Sequence, residues 1–203
     1  MNPYLKTPPV VKNLLIANIM MYLAVTLIPS FHYLMVDYGY LYWVGSPHFR
    51  SWQFVTYMFL HAGLWHLFFN MWALWMFGRT LEYEIGSRRF LIYYMVCGVG
   101  AAFIQMGVAA MAGEVNFTML GASGAVMGLL LSFGVMHPNE RLFIIPFPFP
   151  IKAKYFVIGY AVLELLQGCS IADSGVAHFA HIGGMLWGLL LLLYWRKNNN
   201  VYF

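Results

Sequence analysis

Six long stretches almost free of charge run along this chain, and they settle which solvent it can fold in. A helix needs about 20 mostly apolar residues to cross a bilayer. Stretches of that kind run from about Asn13 to Val36, through 54–78, between Arg89 and Gly113, between Glu114 and His137, from about Tyr155 to Ala172 and from about Ser174 to Trp195. Of the 203 residues, 62% are hydrophobic and 9% charged, against about 25% charged in an ordinary soluble domain. A soluble domain of this size cannot hide so much apolar surface. The expected fold is therefore all-α: one polytopic membrane domain over 1–203, a bundle of six transmembrane helices with short tails at about 1–12 and 196–203.

Local chemistry refines these limits. Pro29 should kink or end the first span. The helix of the second should occupy its later part, from about 64, and Gly121 should lie near the true start of the fourth. Residues 37–53, "DYGYLYWVGSPHFRSWQ", mix aromatics with Gly, Pro and charge, which suits a segment at the membrane interface. The polar stretch "MNPYLKTPPVVKN" leads into a run long enough to span and without a clear cleavage site, so no cleaved signal peptide is expected.

The basic residues test the count. Lys6, Lys12, Arg79, Arg88, Arg89, Arg141, Lys152, Lys154, Arg196 and Lys197 fall on one side of a six-span topology, and only Arg50 on the other. Positive charge collects on the cytoplasmic side, so both termini are expected there. The net charge of +4 is then a matter of topology. No basic cluster interleaves with aromatics, and no nucleic-acid partner is expected. Cys97 and Cys169 form no CxxC pair and read as buried thiols.

Polar groups inside spans are costly and mark candidate sites. Here they are His61, His66 and Asn70 around the second span, Ser123 in the fourth, Glu164 and Gln167 in the fifth, and His178 and His181 in the sixth. The second, fourth and sixth spans all begin on the outer side, and His66, Asn70, Ser123 and His181 lie within their first turns. All four thus reach a similar depth. His66 and Asn70, at i and i+4, share a helix face. His181, Gly184 and Gly188 share another, and Gly124 and Gly128 form a GxxxG that lets two backbones approach closely. If those faces meet, Ser123 reaches His181 as a nucleophile reaches its base. His66 and Asn70 can then donate to an oxyanion, joined by the early N–H groups of Ala122 and Ser123, which have no intrahelical partner. Gly121 allows the unusual backbone angle such a start needs.

Taken singly, each of these residues fits helix packing or a satisfied polar contact; their joint depth shifts the weight toward chemistry. His178 competes with His181 but lacks the glycine face, and reads as lining a water-accessible mouth. His61 reads as stabilising the preceding loop. Glu164 is open between a protonated acid, a group facing a watery cavity and a bond within its own helix. Asp173 reads as a loop residue, so a Ser–His dyad is expected rather than a triad. HExxH and paired carboxylates are absent, no intramembrane aspartate pair exists, and no inverted repeat is visible. No metal or cofactor is expected.

These residues resemble the rhomboid family of intramembrane serine proteases. "GASG" around Ser123 is similar to the family's GxSG, "HLFFN" at 66–70 to its HxxxN, and "AHIGGMLWG" at 180–188 to its AHxxGxxxG. "FLHAGLWHLFFNMWALWMFGRTLEYEIGSRRF" at 59–90 resembles the family almost throughout, and the likeness covers roughly 49–195. It implies the basic six-helix bacterial form, in the bacterial cytoplasmic membrane, cutting transmembrane segments of other membrane proteins with Ser123 as nucleophile and His181 as base. It also implies an oxyanion site at His66, Asn70 and the backbone near Ala122, a lateral gate at the fifth helix capped by the loop around 168–177, and a membrane-embedded first loop at 37–53. The alternative it carries is a catalytically inactive relative that binds transmembrane helices. One departure is "WQ" at Trp52–Gln53 where many members have Trp-Arg, with Arg50 nearby to substitute.

Overall fold

The structure is a computed structural model that describes residues 6–114, 116–143, 149–169 and 177–198. It is mostly helical. Helix α1 (Pro9–Leu27) begins on a proline, whose missing N–H costs nothing at a helix start. Its free N–H groups are met from far along the chain: Val10 and Val11 donate to the two Glu82 carboxylate oxygens at 3.0 and 2.8 Å. Ser87 Oγ donates to the same carboxylate at 2.6 Å. Glu82 is buried, so its charge is held by these donors and the positive end of the helix. Glu82→Ala should lower stability by roughly 2–4 kcal/mol, since each hydrogen bond to a charged group contributes about 1.5–3 kcal/mol and the three are not additive. Thermal unfolding in detergent measures it.

Pro29 ends α1 rather than kinking it. Ile28 is extended, and a separate helix α2 (Pro29–Tyr38) follows, because proline cannot donate and pushes its predecessor out of the helical region. The first span is thus shorter than 13–36 and starts earlier. The next segment carries strand β1 (Leu41–Tyr42), helix α3 (Gln53–Thr56) and a 3₁₀ turn (Tyr57–Phe59). Fully buried Gln53 ties this loop together. Its Oε1 accepts the N–H groups of Arg50 and Tyr42 at 3.1 and 3.4 Å, and its Nε2 donates to the His48 carbonyl at 2.9 Å. The Arg50 guanidinium donates instead to the Phe49 and Pro47 carbonyls. The departure at Gln53 therefore supplies its own loop contacts, and Arg50 does not stand in for it.

Helix α4 (Leu64–Ala73) passes through a π-helical turn (Leu74–Gly78) into α5 (Arg79–Ile85). Then come α6 (Ser87–Ala112), strand β2 (Thr118–Met119), α7 (Ser123–Met136), strands β3 (Arg141–Leu142) and β4 (Ile151–Lys152), α8 (Ala153–Gly168) and α9 (His178–Lys197). Gly86 at φ +80° and Gly113 at φ +73° break the chain on either side of α6. Helices α1, α6 and α9 are long and apolar enough to cross a membrane. Large apolar side chains such as Met20, Leu23, Trp65, Phe69, Leu166 and Leu190 stand exposed, as they must where lipid replaces water.

The core lies between α6, α7 and α9. Helix α7 has 14 residues, about 21 Å at 1.5 Å per residue, well short of the roughly 30 Å hydrocarbon thickness. It is too short to cross the hydrocarbon layer by itself. Non-helical backbone within a membrane is tolerated only against protein or water, and the approach to α7 is held against protein, β2 pairing with β1.

Candidate active site

Three contacts set the start of α7. β2 pairs antiparallel with β1, Leu41 opposite Met119 and Tyr42 opposite Thr118. The Gly121 N–H donates to the Tyr57 carbonyl at 2.9 Å. Tyr57 is itself anchored, its hydroxyl donating to the Gly98 carbonyl on α6 at 2.8 Å. Gly121 sits at φ +125°, where a side chain is strained. The chain then turns through Ala122 into the helix, with Ser123 its first residue.

Glycine contacts bring the partner helix in. A Cβ built on Gly184 of α9 would lie 1.8 Å from the Gly124 carbonyl oxygen of α7, so the two backbones touch. Gly128 is closed off by Cys97 of α6 and the Gly184 carbonyl. Gly188 lies on the same face of α9 but meets the Tyr93 hydroxyl of α6, so the glycine stripe serves two neighbours rather than α7 alone. The start of α9 is held separately: the Ala180 N–H donates to Gln105 Oε1 of α6 at 3.1 Å. Sequence reasoning did not single out Gln105 or Tyr57.

This packing places Ser123 Oγ 2.8 Å from His181 Nε2. His66 comes in from α4, its Nε2 so near Gly121 that a Cβ there would lie 2.8 Å away. The Ala62 N–H donates to His66 Nδ1 at 3.4 Å, which leaves a neutral His66 with its proton on Nε2, the nitrogen facing Gly121. Asn70 Nδ2 donates to the His66 carbonyl at 2.9 Å, leaving its second N–H to spare. His66, Asn70, Gly121, Ser123 and His181 line one cavity of about 960 Å³, shared with Gln105. Polar groups from α4, α7 and α9 thus converge on one space.

Glu164 stands behind His181. This buried side chain of α8 puts Oε2 2.7 Å from His178 Nδ1 and 3.0 Å from His181 Nδ1. The first is a hydrogen bond. The second has the distance without the direction, and His181 Nδ1 has no aligned partner among the described residues. Glu164 is neither lone nor bonded only within its helix. His178 is buried and bonded, not lining a mouth. His61 is buried in the segment before α4, where its ring packs on His66 at 5.0 Å between centroids. Cys97 is buried as expected, but Cys169 is exposed. Asp173 and most of 168–177 fall outside the described residues.

A serine hydroxyl meeting an imidazole at the foot of a cavity, inside a helical bundle clad in apolar side chains, defines a class of helical membrane proteins. The chain belongs to the rhomboid family: the family model described as Rhomboid domain matches residues 48–198. Rhomboid protein 1, mitochondrial, of Saccharomyces cerevisiae is 31% identical over 140 residues, 68% of this chain and 40% of the relative. The presenilin-associated rhomboid-like protein, mitochondrial, of Bos taurus is 30% identical over 140 residues, 67% of this chain and 36% of the relative. Rhomboid protease GlpG of Yersinia pestis is 26% identical over 157 residues, 77% of this chain and 52% of the relative. This chain therefore spans about half or less of the curated relatives it matches. It is a membrane protein of a family that includes both GlpG proteases and mitochondrial rhomboid-like proteins.

Proposed function

We propose that this chain is an intramembrane serine endopeptidase that hydrolyses peptide bonds in or near transmembrane segments of other membrane proteins. The observation that carries the reading is the 2.8 Å approach of Ser123 Oγ to His181 Nε2 inside the 960 Å³ cavity. Ser123 Oγ attacks the scissile carbonyl and His181 Nε2 takes its proton. The carbonyl oxygen becomes an oxyanion held by the His66 Nε2–H, the Asn70 Nδ2–H and the backbone N–H groups of Ala122 and Ser123. His181 returns the proton to the leaving amine, and water from the cavity hydrolyses the acyl-enzyme. Glu164, beside the far nitrogen of His181, extends the dyad with a carboxylate that stabilises the imidazolium as it forms.

The reading places six spanning helices in one domain over 1–203, both termini cytoplasmic, in the bacterial cytoplasmic membrane. The one-sided basic residues support that orientation. The short α7 supports a nucleophile sunk below the outer face, where a substrate helix unwound at its outer end can reach it.

The test is cleavage of a tagged single-span substrate by the purified protein in detergent. Cleavage that depends on Ser123 and His181 supports the proposal. Binding without cleavage replaces it with the inactive helix-binding reading. In the same assay Asn70→Ala should reduce kcat by about 10²–10³-fold, the loss of one oxyanion donor among several, while substrate binding holds.

A further inference from the structure

Glu164, His178 and His181 form a cluster that the proposed reaction uses only in part. One carboxylate and two imidazoles, 3%, 8% and 8% exposed, bring one donor atom each within 4.8 Å of one another. His178 and His181 lie three residues apart on one face of α9, and Glu164 reaches them from α8. Two histidines and a glutamate are a known donor set for zinc. With bonds of about 2.0–2.2 Å, a tetrahedral site has donor–donor edges of roughly 3.3–3.5 Å. The carboxylate–imidazole separations here are 2.7 and 3.0 Å, so small side-chain rotations open the cluster to that size. Within the cluster, His181 Nδ1 is buried and meets the Glu164 carboxylate at 3.0 Å without aligned hydrogen-bond geometry, whereas buried polar atoms normally have an aligned partner. The adjoining cavity, lined by His181 and by Tyr160 of α8, offers a route in and a water for the fourth position.

We infer that Glu164, His178 and His181 form an inhibitory site for a divalent transition-metal ion of the zinc type. The inference rests on the reading of His181 as the base. A neutral imidazole that gives its Nδ1 lone pair to a metal must carry its proton on Nε2. That Nε2–H then donates to Ser123 Oγ and can no longer accept the serine proton. On binding, the Nδ1 proton of each neutral histidine leaves to solvent and one proton is taken up from solvent at its Nε2, a tautomer shift that loss of the ion reverses. Occupancy of a site behind the dyad thus switches the nucleophile off through the tautomer of its base.

The experiment uses full-length protein in detergent, carrying a purification tag without histidines and stripped with a chelator. Equilibrium dialysis of Ser123→Ala against zinc chloride reads binding without any cleavage. One zinc per chain is expected, and its loss in Glu164→Gln. Cleavage by the wild type should fall as zinc is added and return with chelator. The deciding variant is His178→Asn, whose amide can still donate to Glu164 but is a poor zinc ligand. It should keep its basal cleavage and need at least 10–100-fold more zinc for inhibition, a loss that even the outer hydrogen-bond partners of a metal site produce. Unchanged zinc sensitivity in His178→Asn, or no zinc retained by Ser123→Ala, overturns the site. If His178→Asn does not fold, zinc retained by Glu164→Gln overturns it equally. A chelated wild type that cuts nothing but binds zinc through these residues overturns the protease reading and supports the site.

Discussion

Ser123→Ala is expected to abolish cleavage of a tagged single-span substrate, with kcat falling on the order of 10⁶-fold, the loss seen when a serine nucleophile is removed from a serine protease. His181→Ala should cost nearly as much. Nucleophile and base act as one unit, so the double variant should be scarcely worse than either single one. The physical reason is the 2.8 Å contact: without Nε2 to take its proton, the hydroxyl is a weak nucleophile at neutral pH. Ser123→Ala removes a single atom beside an open cavity, so its thermal unfolding should move little. Single-turnover assays with matched unfolding curves separate lost chemistry from lost fold. Cleavage persisting in Ser123→Ala would sink the mechanism.

Gly184→Ala should be nearly as damaging for a different reason. The new Cβ would lie 1.8 Å from the Gly124 carbonyl oxygen, with backbone on both sides and no flexible side chain to yield. Helices α7 and α9 must part by more than an ångström to relieve it. Ser123 adjoins Gly124, and His181 lies one turn from Gly184 on the same face, so the same separation breaks the Ser123–His181 contact. Overpacking costs about 1–3 kcal/mol or more, and a 1 Å misplacement at reacting atoms costs about 10²-fold in rate. Stability and cleavage should therefore fall together, unlike in Ser123→Ala. Gly107→Ala on α6, where a Cβ meets nothing within 4 Å, should leave both unchanged.

Much of the site was legible in one dimension because its parts obey helical spacing. His66 with Asn70, Gly124 with Gly128, and His181 with Gly184 each declare a face. What escaped had no local signal. Gln105 and Tyr57 act through single hydrogen bonds to segments 75 and 64 residues away in sequence, Ala180 and Gly121. Glu164 was conspicuous as a carboxylate in an apolar run, but its partners sit on another helix whose rotation no periodicity states. His178 was misplaced for the same reason, since the turn of α9 that aims His181 at Ser123 also aims His178 at Glu164. Glu82 gives no local sign of its role, because the N–H groups of Val10 and Val11 that it accepts lie 72 and 71 residues away.

By itself the sequence determined the solvent, the helical class and the polar residues that meet in one cavity. Those follow from apolar length, charge placement and the fixed rise of a helix. The tertiary structure alone decided which faces meet. Rotation and lateral neighbours depend on contacts such as Gly184 against Gly124, made between segments far apart in the chain and selected by van der Waals fit rather than by any repeat within one helix.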